Sequence, residues 1–297
     1  MSRRYGAIDI GSNAVRLMVK AIREEAGEVR SDKVAYTRIP IRLGEDVFET
    51  GRISPAKQEA LTLAIEAFHL LLRSMDVKDF RACATSAMRE AANGPEVVEA
   101  IHKRTGVTID IIRGREEADL IFSNFSIATL DRDRDYVYVD VGGGSTEITL
   151  IRQGERVEAK SFRIGSVRLL KNKVKPEVRE GLEAWCRELM AKHDVADPIV
   201  IGSGGNINRL YKLSGGAGQD PITREALEST FRKLEKAGHA ERLDRYGLKP
   251  DRADVIVPAC RIYLDAMDLF EAETIIVPKV GLGDGMVLDL HRSRTAG

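Results

Sequence analysis

The sequence predicts an α/β fold of two related domains, on three observations. A short apolar strand running into Asp-X-Gly, a tight turn and a second strand occurs twice, over residues 5–22 and 136–151. The aspartates of the two copies, Asp9 and Asp140, lie 131 residues apart, about one domain length. At 297 residues the chain has room for two ordinary domains. The boundary is expected near residues 124–129. It divides a first domain over 1–125 from a second over 126–297, with a last helix near 286–297 returning to the first.

Taken in order, residues 5–10 form a strand that reaches Asp9-Ile10-Gly11-Ser12-Asn13. Val15, Leu17 and Val19 then alternate along a second strand, and a hairpin runs through Glu24-Glu25-Ala26-Gly27. Residues 34–43 read as a third strand and 44–51 as a loop. Ser54-Pro55 is a helix start, with Ser as N-cap and Pro at the first helical position. Leu61, Ala64, Ile65, Phe68, Leu71 and Leu72 follow at helical spacing. Residues 80–84 form a buried strand feeding Thr85-Ser86-Ala87-Met88-Arg89. Asn93-Gly94-Pro95-Glu96 signals a helix cap, and Thr105-Gly106 closes that helix. Residues 107–112 are a strand leading into Gly114-Arg115-Glu116-Glu117.

The second half opens with a charged turn, Asp131-Arg132-Asp133-Arg134-Asp135. The second copy of the repeat follows, with its hairpin at Gln153-Gly154-Glu155, and residues 157–164 extend the sheet. Gly165-Ser166-Val167-Arg168 opens a helix. Lys171, Lys173 and Lys175 are either a wet surface or a wall for an anionic chain. Leu182, Trp185, Cys186, Leu189 and Met190 are core at helical spacing. Residues 198–201 run into Gly202-Ser203-Gly204-Gly205-Asn206, a third strand–glycine–helix junction. Thr223 caps a helix, His239 reads as surface, and residues 254–270 form an amphipathic helix that Pro258 should kink. A last strand at 274–277, Gly283-Asp284-Gly285 and a short helix at 287–291 complete the chain.

Composition excludes several classes. The net formal charge is zero, so no global field recruits nucleic acid or membrane, and attraction for a polyanion must be local. No apolar run approaches the ~20 residues of a membrane span, and the early first strand leaves no room for a signal peptide. The three cysteines, Cys83, Cys186 and Cys260, are odd in number and widely spaced. That pattern argues against disulfides or zinc and for a reducing cytoplasm.

The chemistry concentrates in Asp140-Val141-Gly142-Gly143-Gly144-Ser145-Thr146-Glu147. Glycines let backbone N–H groups approach a phosphate, Ser145 and Thr146 add hydroxyl donors, and Asp140 and Glu147 suit a hard cation such as Mg²⁺. The alternative is a glycine-rich hairpin without a ligand. Arg89 is either a bidentate phosphate contact or a solvated helix arginine. Glu116 and Glu117 are ordinary partners of a helix N-terminus, or carboxylates placed at a ligand crevice beyond a strand's C-terminal end.

Together these residues resemble the exopolyphosphatase/guanosine pentaphosphate phosphohydrolase family, within the superfamily of actin, sugar kinases and heat-shock ATPases. The resemblance rests on Asp9-Ile10-Gly11-Ser12-Asn13, Thr85 to Arg89, Gly114-Arg115-Glu116-Glu117-Ala118, Asp140 to Glu147 and Gly283-Asp284-Gly285. It implies two ribonuclease-H-like α/β domains with the active site in the cleft between them. It also implies removal of a terminal phosphate from polyphosphate or guanosine pentaphosphate, by a cytoplasmic, Mg²⁺-dependent enzyme that binds polyphosphate or guanosine penta/tetraphosphate, with a homodimer as family habit. By position, Asp9, Asp140 and Glu147 would surround the metal. Gly11, Ser12, Asn13, Gly142, Gly143, Gly144 and Ser145 would cradle phosphates, with Gly204 and Asn206 from the third junction. Arg89 would clamp a phosphoryl group, and Glu117, or its neighbour Glu116, would activate water. Ala14 stands where many relatives have serine. Long members carry further helical domains, one of the HD type, so processive degradation of long polymers is not expected from these residues. Two other readings share the fold: an ATP-dependent phosphotransferase and a non-catalytic sensor.

Overall fold

The described chain opens as an antiparallel meander, because three successive β-rich segments are separated by turns too short for a crossover. The computed structural model describes residues 2–25, 28–123, 130–218, 220–278 and 280–295. The tip of the first hairpin at Ala26-Gly27 and the expected boundary at 124–129 lie outside the described residues. The chain divides into two compact units, Met1–Ile127 with Gly281–Gly297, and Ala128–Val280.

The first unit begins with β1 (Arg3–Ile10), β2 (Val15–Glu25) and β3 (Glu28–Ile39). Then come α1 (Leu43–Thr50), α2 (Pro55–Ser74), β4 (Asp79–Ala84), α3 (Ser86–Glu90), α4 (Gly94–Thr105), β5 (Asp110–Ile111) and α5 (Gly114–Phe122). Its sheet has the order β3-β2-β1-β4-β5. The meander is antiparallel, while β1, β4 and β5 run parallel. The C-terminal ends of the parallel strands therefore share one edge, and the loops that follow them collect there. Tyr5, Ile8, Leu17, Ile65 and Phe68 are fully buried in the core.

The second unit repeats this plan. It contains β6 (Tyr136–Val141), β7 (Thr146–Arg152), β8 (Glu155–Phe162), α6 (Ser166–Leu170), α7 (Pro176–His193), β9 (Ile199–Ser203) and α8 (Gly205–Leu213). Next are β10 (Ile222–Thr223), α9 (Arg224–Lys236), α10 (His239–Asp244), α11 (Pro250–Ala253), α12 (Ile256–Leu269) and β11 (Thr274–Ile276). The sheet order is β10-β11-β9-β6-β7-β8, again with an antiparallel meander (β6 to β8) beside parallel β6, β9 and β11. Val137, Val139, Ile148 and Leu150 pack in a core with Trp185, Leu210, Phe231 and Tyr263. The chain then returns in α13 (Leu282–Thr295), which packs on β1, β4 and α5 of the first unit. A Cβ on Gly283 would stand 2.9 Å from Met18 Cε, so α13 approaches the meander closely there. Asp284 holds the helix start, accepting from the Gly281 N–H at 2.9 Å and pairing with Lys20.

Several local expectations hold. The Ser54 side chain accepts from the Lys57 N–H, a cap worth about 1 kcal/mol. Thr223 caps α9 the same way. Gln153 and Gly154 turn the second hairpin with φ of 53° and 77°. Others are corrected. Residues 44–50 are helical and Gly51 is the cap, because Leu43, Val47 and Phe48 bury one face of α1. The strand expected at 107–112 pairs only over Asp110–Ile111. Asn93 makes no side-chain cap; its amide instead exchanges two 2.9 Å hydrogen bonds with the Ile53 backbone. Pro258 falls in the first turn of α12, where its missing N–H costs no helical bond, so it starts the helix instead of kinking it. The last helix runs over Leu282–Thr295, well beyond the 287–291 expected.

Candidate active site

In the first unit the loops beyond β1, β4 and β5 are tied together. The Thr85 N–H donates to Ile10 O at 3.1 Å, and the Ile112 N–H to Ala84 O at 3.0 Å. The first glycine turn closes on itself, Gly11 N–H to Ala14 O at 3.1 Å. Ser12 shares a 2.8 Å hydrogen bond with Ser86, joining that turn to α3. From α3 Arg89 donates to Ile112 O at 2.7 Å, and its Nη1 lies 3.9 Å from Glu117 Oε2. The arginine and the second glutamate of the pair are thus brought together, with the Glu117 carboxylate only 12% exposed. Glu116 takes another partner, Arg81, at 2.8 Å, and is 46% exposed. Arg81 is itself held by Asp110 and Asp289.

Asp9 pairs in register with Arg16 across β1 and β2, and the two side chains form an ion pair at 2.7 Å. Arg16 in turn lies opposite Arg38 on β3. Like charges directly opposite one another are unfavourable in a sheet, so this row suits an anion.

In the second unit the equivalent turn closes from Gly142 N–H to Ser145 O at 2.9 Å. Asp140 lies in register with Glu147 on one side and Ser203 on the other, and Glu147 lies in register with Ser161. These four residues form one polar row across β8, β7, β6 and β9. Glu147 is buried, and its Oε1 accepts from Ser145 and Ser161, each at 2.7 Å. Thr146 donates to Ile164 O at 2.6 Å. Both hydroxyls expected to reach a phosphate are therefore donating within the protein, one to a carboxylate and one to the backbone. What the turn offers an anion is its backbone. At the third junction Gly204 adopts φ of 109°, and a Cβ there would approach Asp140 Oδ1 to 3.2 Å. Only glycine lets that turn close on the carboxylate. Asn206 lies in the first turn of α8.

Three groups at these turns carried no sequence signal. Ser161 is revealed only by the β7–β8 register. Tyr263 reaches from α12 to the ends of β6 and β9, accepting from the Val141 N–H and donating to Ser203 O. Burial raises its pKa well above that of an ordinary tyrosine, so the phenol stays protonated as a donor. Arg168 reads as an ordinary helix residue, yet it is buried and its Nε donates to Gly144 O at 2.9 Å.

Among the described residues no group of three or more His, Cys, Asp or Glu side chains forms a metal cage. Asp9 is balanced by Arg16. Asp140 and Glu147 are opposed carboxylates of the kind that hold Mg²⁺ together with water and phosphate oxygens. No helix among the described residues is long and apolar enough to cross a membrane.

Comparison with known proteins identifies the fold and the family. A guanosine-5'-triphosphate,3'-diphosphate pyrophosphatase of Vibrio parahaemolyticus serotype O3:K6 is 26% identical over 300 residues, 96% of this chain. The chain spans 59% of that relative's length. A crystal structure of an exopolyphosphatase from Cytophaga hutchinsonii superposes with a TM-score of 0.83 at 22% identity, covering 98% of both chains. That of the Aquifex aeolicus Ppx/GppA family member superposes with a TM-score of 0.77 at 24% identity, covering 100% of this chain and 99% of the other. These likenesses establish the two-domain, actin-like α/β fold. The model of the Ppx/GppA phosphatase family matches residues 22–294, and the chain belongs to that family.

Proposed function

We propose that the chain hydrolyses a terminal phosphoanhydride, releasing orthophosphate from guanosine 5'-triphosphate 3'-diphosphate, from inorganic polyphosphate, or from both. The observation that carries this reading is the Arg89–Glu117 pair, a guanidinium and a largely buried carboxylate 3.9 Å apart at the edge that also bears the Asp9 turn. Phosphoryl transfer asks a protein mainly for positioning and charge neutralisation, plus a group that orients the nucleophile. Arg89 serves the neutralisation and Glu117 orients and deprotonates water. With Glu116 committed to Arg81, Glu117 is the better base. Gly11, Ser12 and Asn13, and Gly142 to Ser145, present backbone N–H donors to phosphate oxygens. Gly204 and Asn206 supply the corresponding turn after β9.

Mg²⁺ held by Asp140 and Glu147, with water, would neutralise charge on the phosphates and orient them. Ser145 and Ser161 keep Glu147 aimed by donating to one of its oxygens. The relatives' names support guanosine polyphosphate and polyphosphate as substrates, since both end in the same phosphoanhydride.

The test is release of orthophosphate by purified protein in Mg²⁺, from each substrate separately. Wild type should release it, and Glu117→Gln should be slower by about 10²-fold or more. Equal rates in the two proteins, or none in wild type from either substrate, would sink the proposal.

A further inference from the structure

In a trans peptide the C=O of one residue and the N–H of the next point in opposite directions. Whatever holds the carbonyls of the triple-glycine turn therefore decides where its N–H donors face. Three consecutive carbonyls are held by one short segment opening α6. Gly142 O accepts from the Ser166 N–H at 3.0 Å and the Ser166 hydroxyl at 3.2 Å. Gly143 O accepts from the Val167 N–H at 2.9 Å and the Arg168 N–H at 3.1 Å. Gly144 O accepts from Arg168 Nε at 2.9 Å. The N–H groups of Gly143, Gly144 and Ser145 are thereby all turned away from α6.

Such control is needed because glycine crosses between positive and negative φ at little cost. An unrestrained Gly144–Ser145 peptide can flip and offer an anion a carbonyl oxygen in place of a donor. The fit leaves no slack. A Cβ on Gly165 would stand 2.5 Å from the backbone of Gly143 and Gly144, so the clamp can lie against the turn only with glycine there. The Arg168 side chain is buried behind the turn. Its charge polarises the Gly144–Ser145 peptide and strengthens the Ser145 N–H as a donor.

The first unit contains the same device in the same place. Its clamp is the start of α1, the first helix after the meander, as α6 is in the second unit. There the Arg42 N–H donates to Asn13 O at 3.0 Å and the Gly44 N–H to Ser12 O at 2.8 Å. A Cβ on Gly44 would stand 3.1 Å from Ser12 Cβ. Both of these donors are backbone N–H groups. The second unit adds a buried side chain for the most glycine-rich turn.

We propose that Arg168 is a positioning residue: through Gly144 O it fixes the peptide that aims the Ser145 N–H, and with Ser166 and Val167 it holds the turn in its anion-binding form. This rests on reading that turn as a phosphate-binding element. The donor atom allows a sharp substitution. Arg168→Met matches arginine in length as far as Nε and puts a methyl there. Arg168→Lys puts a methylene there and keeps a positive charge beyond it.

Calorimetric titration with inorganic tripolyphosphate in metal-free buffer should show about tenfold weaker binding for Arg168→Met, the size of a lost hydrogen bond to a fixed group. Arg168→Lys should also bind more weakly, because charge without Nε does not hold the peptide. In Mg²⁺ the same variants should raise KM for tripolyphosphate while kcat changes little. Melting curves run alongside, and Arg168→Lys, which keeps the buried stem and charge, carries the test if Arg168→Met is unstable. Wild-type affinity and KM in the lysine variant would overturn the proposal, as would a fall in kcat at unchanged KM that follows the folded fraction. No binding of tripolyphosphate by wild type would overturn it too. Arginine-dependent binding without phosphate release would leave the positioning role standing and remove the hydrolase reading.

Discussion

The two units set the same turn into the same sheet position and surround it with different charge, a balanced row in the first and two carboxylates in the second. In the first unit the lateral row through the key aspartate reads Asp110, Cys83, Asp9, Arg16, Arg38. In the second it reads Ser203, Asp140, Glu147, Ser161. Arg16 and Glu147 each stand seven residues after the aspartate and directly opposite it. One exchange, arginine for glutamate, replaces the ion partner of the aspartate with a second carboxylate. The difference teaches that the backbone turn is the repeated element, while the residue across from the aspartate sets the charge beside it; on the function proposed above, the first unit would face phosphate and the second a divalent ion.

The largest expected effect breaks the second row. Glu147→Gln should cut phosphate release in Mg²⁺ by about 10²-fold or more, as loss of a charge-stabilising group does elsewhere. The same variant should melt no lower than wild type without metal, because it relieves a like-charge pair while the amide oxygen still accepts from Ser145 and Ser161. Added Mg²⁺ should raise the melting temperature of wild type more than that of the variant. An equal rise in both would place the cation elsewhere.

A smaller effect tests the first row. Arg16→Glu gives Asp9 the same opposed carboxylate that Asp140 has. It should cost about 1–2 kcal/mol in urea unfolding without metal, part of it lost to solvent screening of a pair that is 28% and 15% exposed. Unchanged stability would mean that Asp9 is not balanced by Arg16.

The smallest effect concerns Cys83, which stands beside Asp9 where Ser203 stands beside Asp140. Burial pushes the Cys83, Cys186 and Cys260 thiols up to about 12, so almost no thiolate exists at pH 8. Iodoacetamide should label none of the three in native protein within minutes and all of them in denaturant. Mass spectrometry that finds native Cys83 labelled would show that the Asp9 row opens to solvent.

What could be read in advance was local. Ser54-Pro55, Gln153-Gly154 and the repeated Asp-X-Gly each carry their own conformational reason within a few residues, and each appears where its chemistry requires. Glu117 was legible for the same reason, as a carboxylate at a helix start after a strand. The unread parts depend on partners far along the chain. Ser161 has nothing notable around it, and becomes part of the row only through its register with Glu147, fourteen residues earlier. Arg168 gains its meaning from Gly144, twenty-four residues earlier. The hydroxyls of Ser145 and Thr146 looked like phosphate donors because sequence shows a donor but not the acceptor that claims it. In α1 the glycines suggested a loop, yet Gly44 is needed where the helix start meets Ser12.

The last helix sets an order of assembly. The second unit is one uninterrupted stretch, Ala128–Val280, but the first is completed by Gly281–Gly297. In chain order, the unit that begins first is therefore completed by the segment that comes last. Until α13 has left the ribosomal exit tunnel, Met18 and Ala7 lack the helix that Gly283 brings against them, and Tyr5 lacks its edge-on contact with His291. The later-made unit can be folded while the earlier one still waits for its final piece.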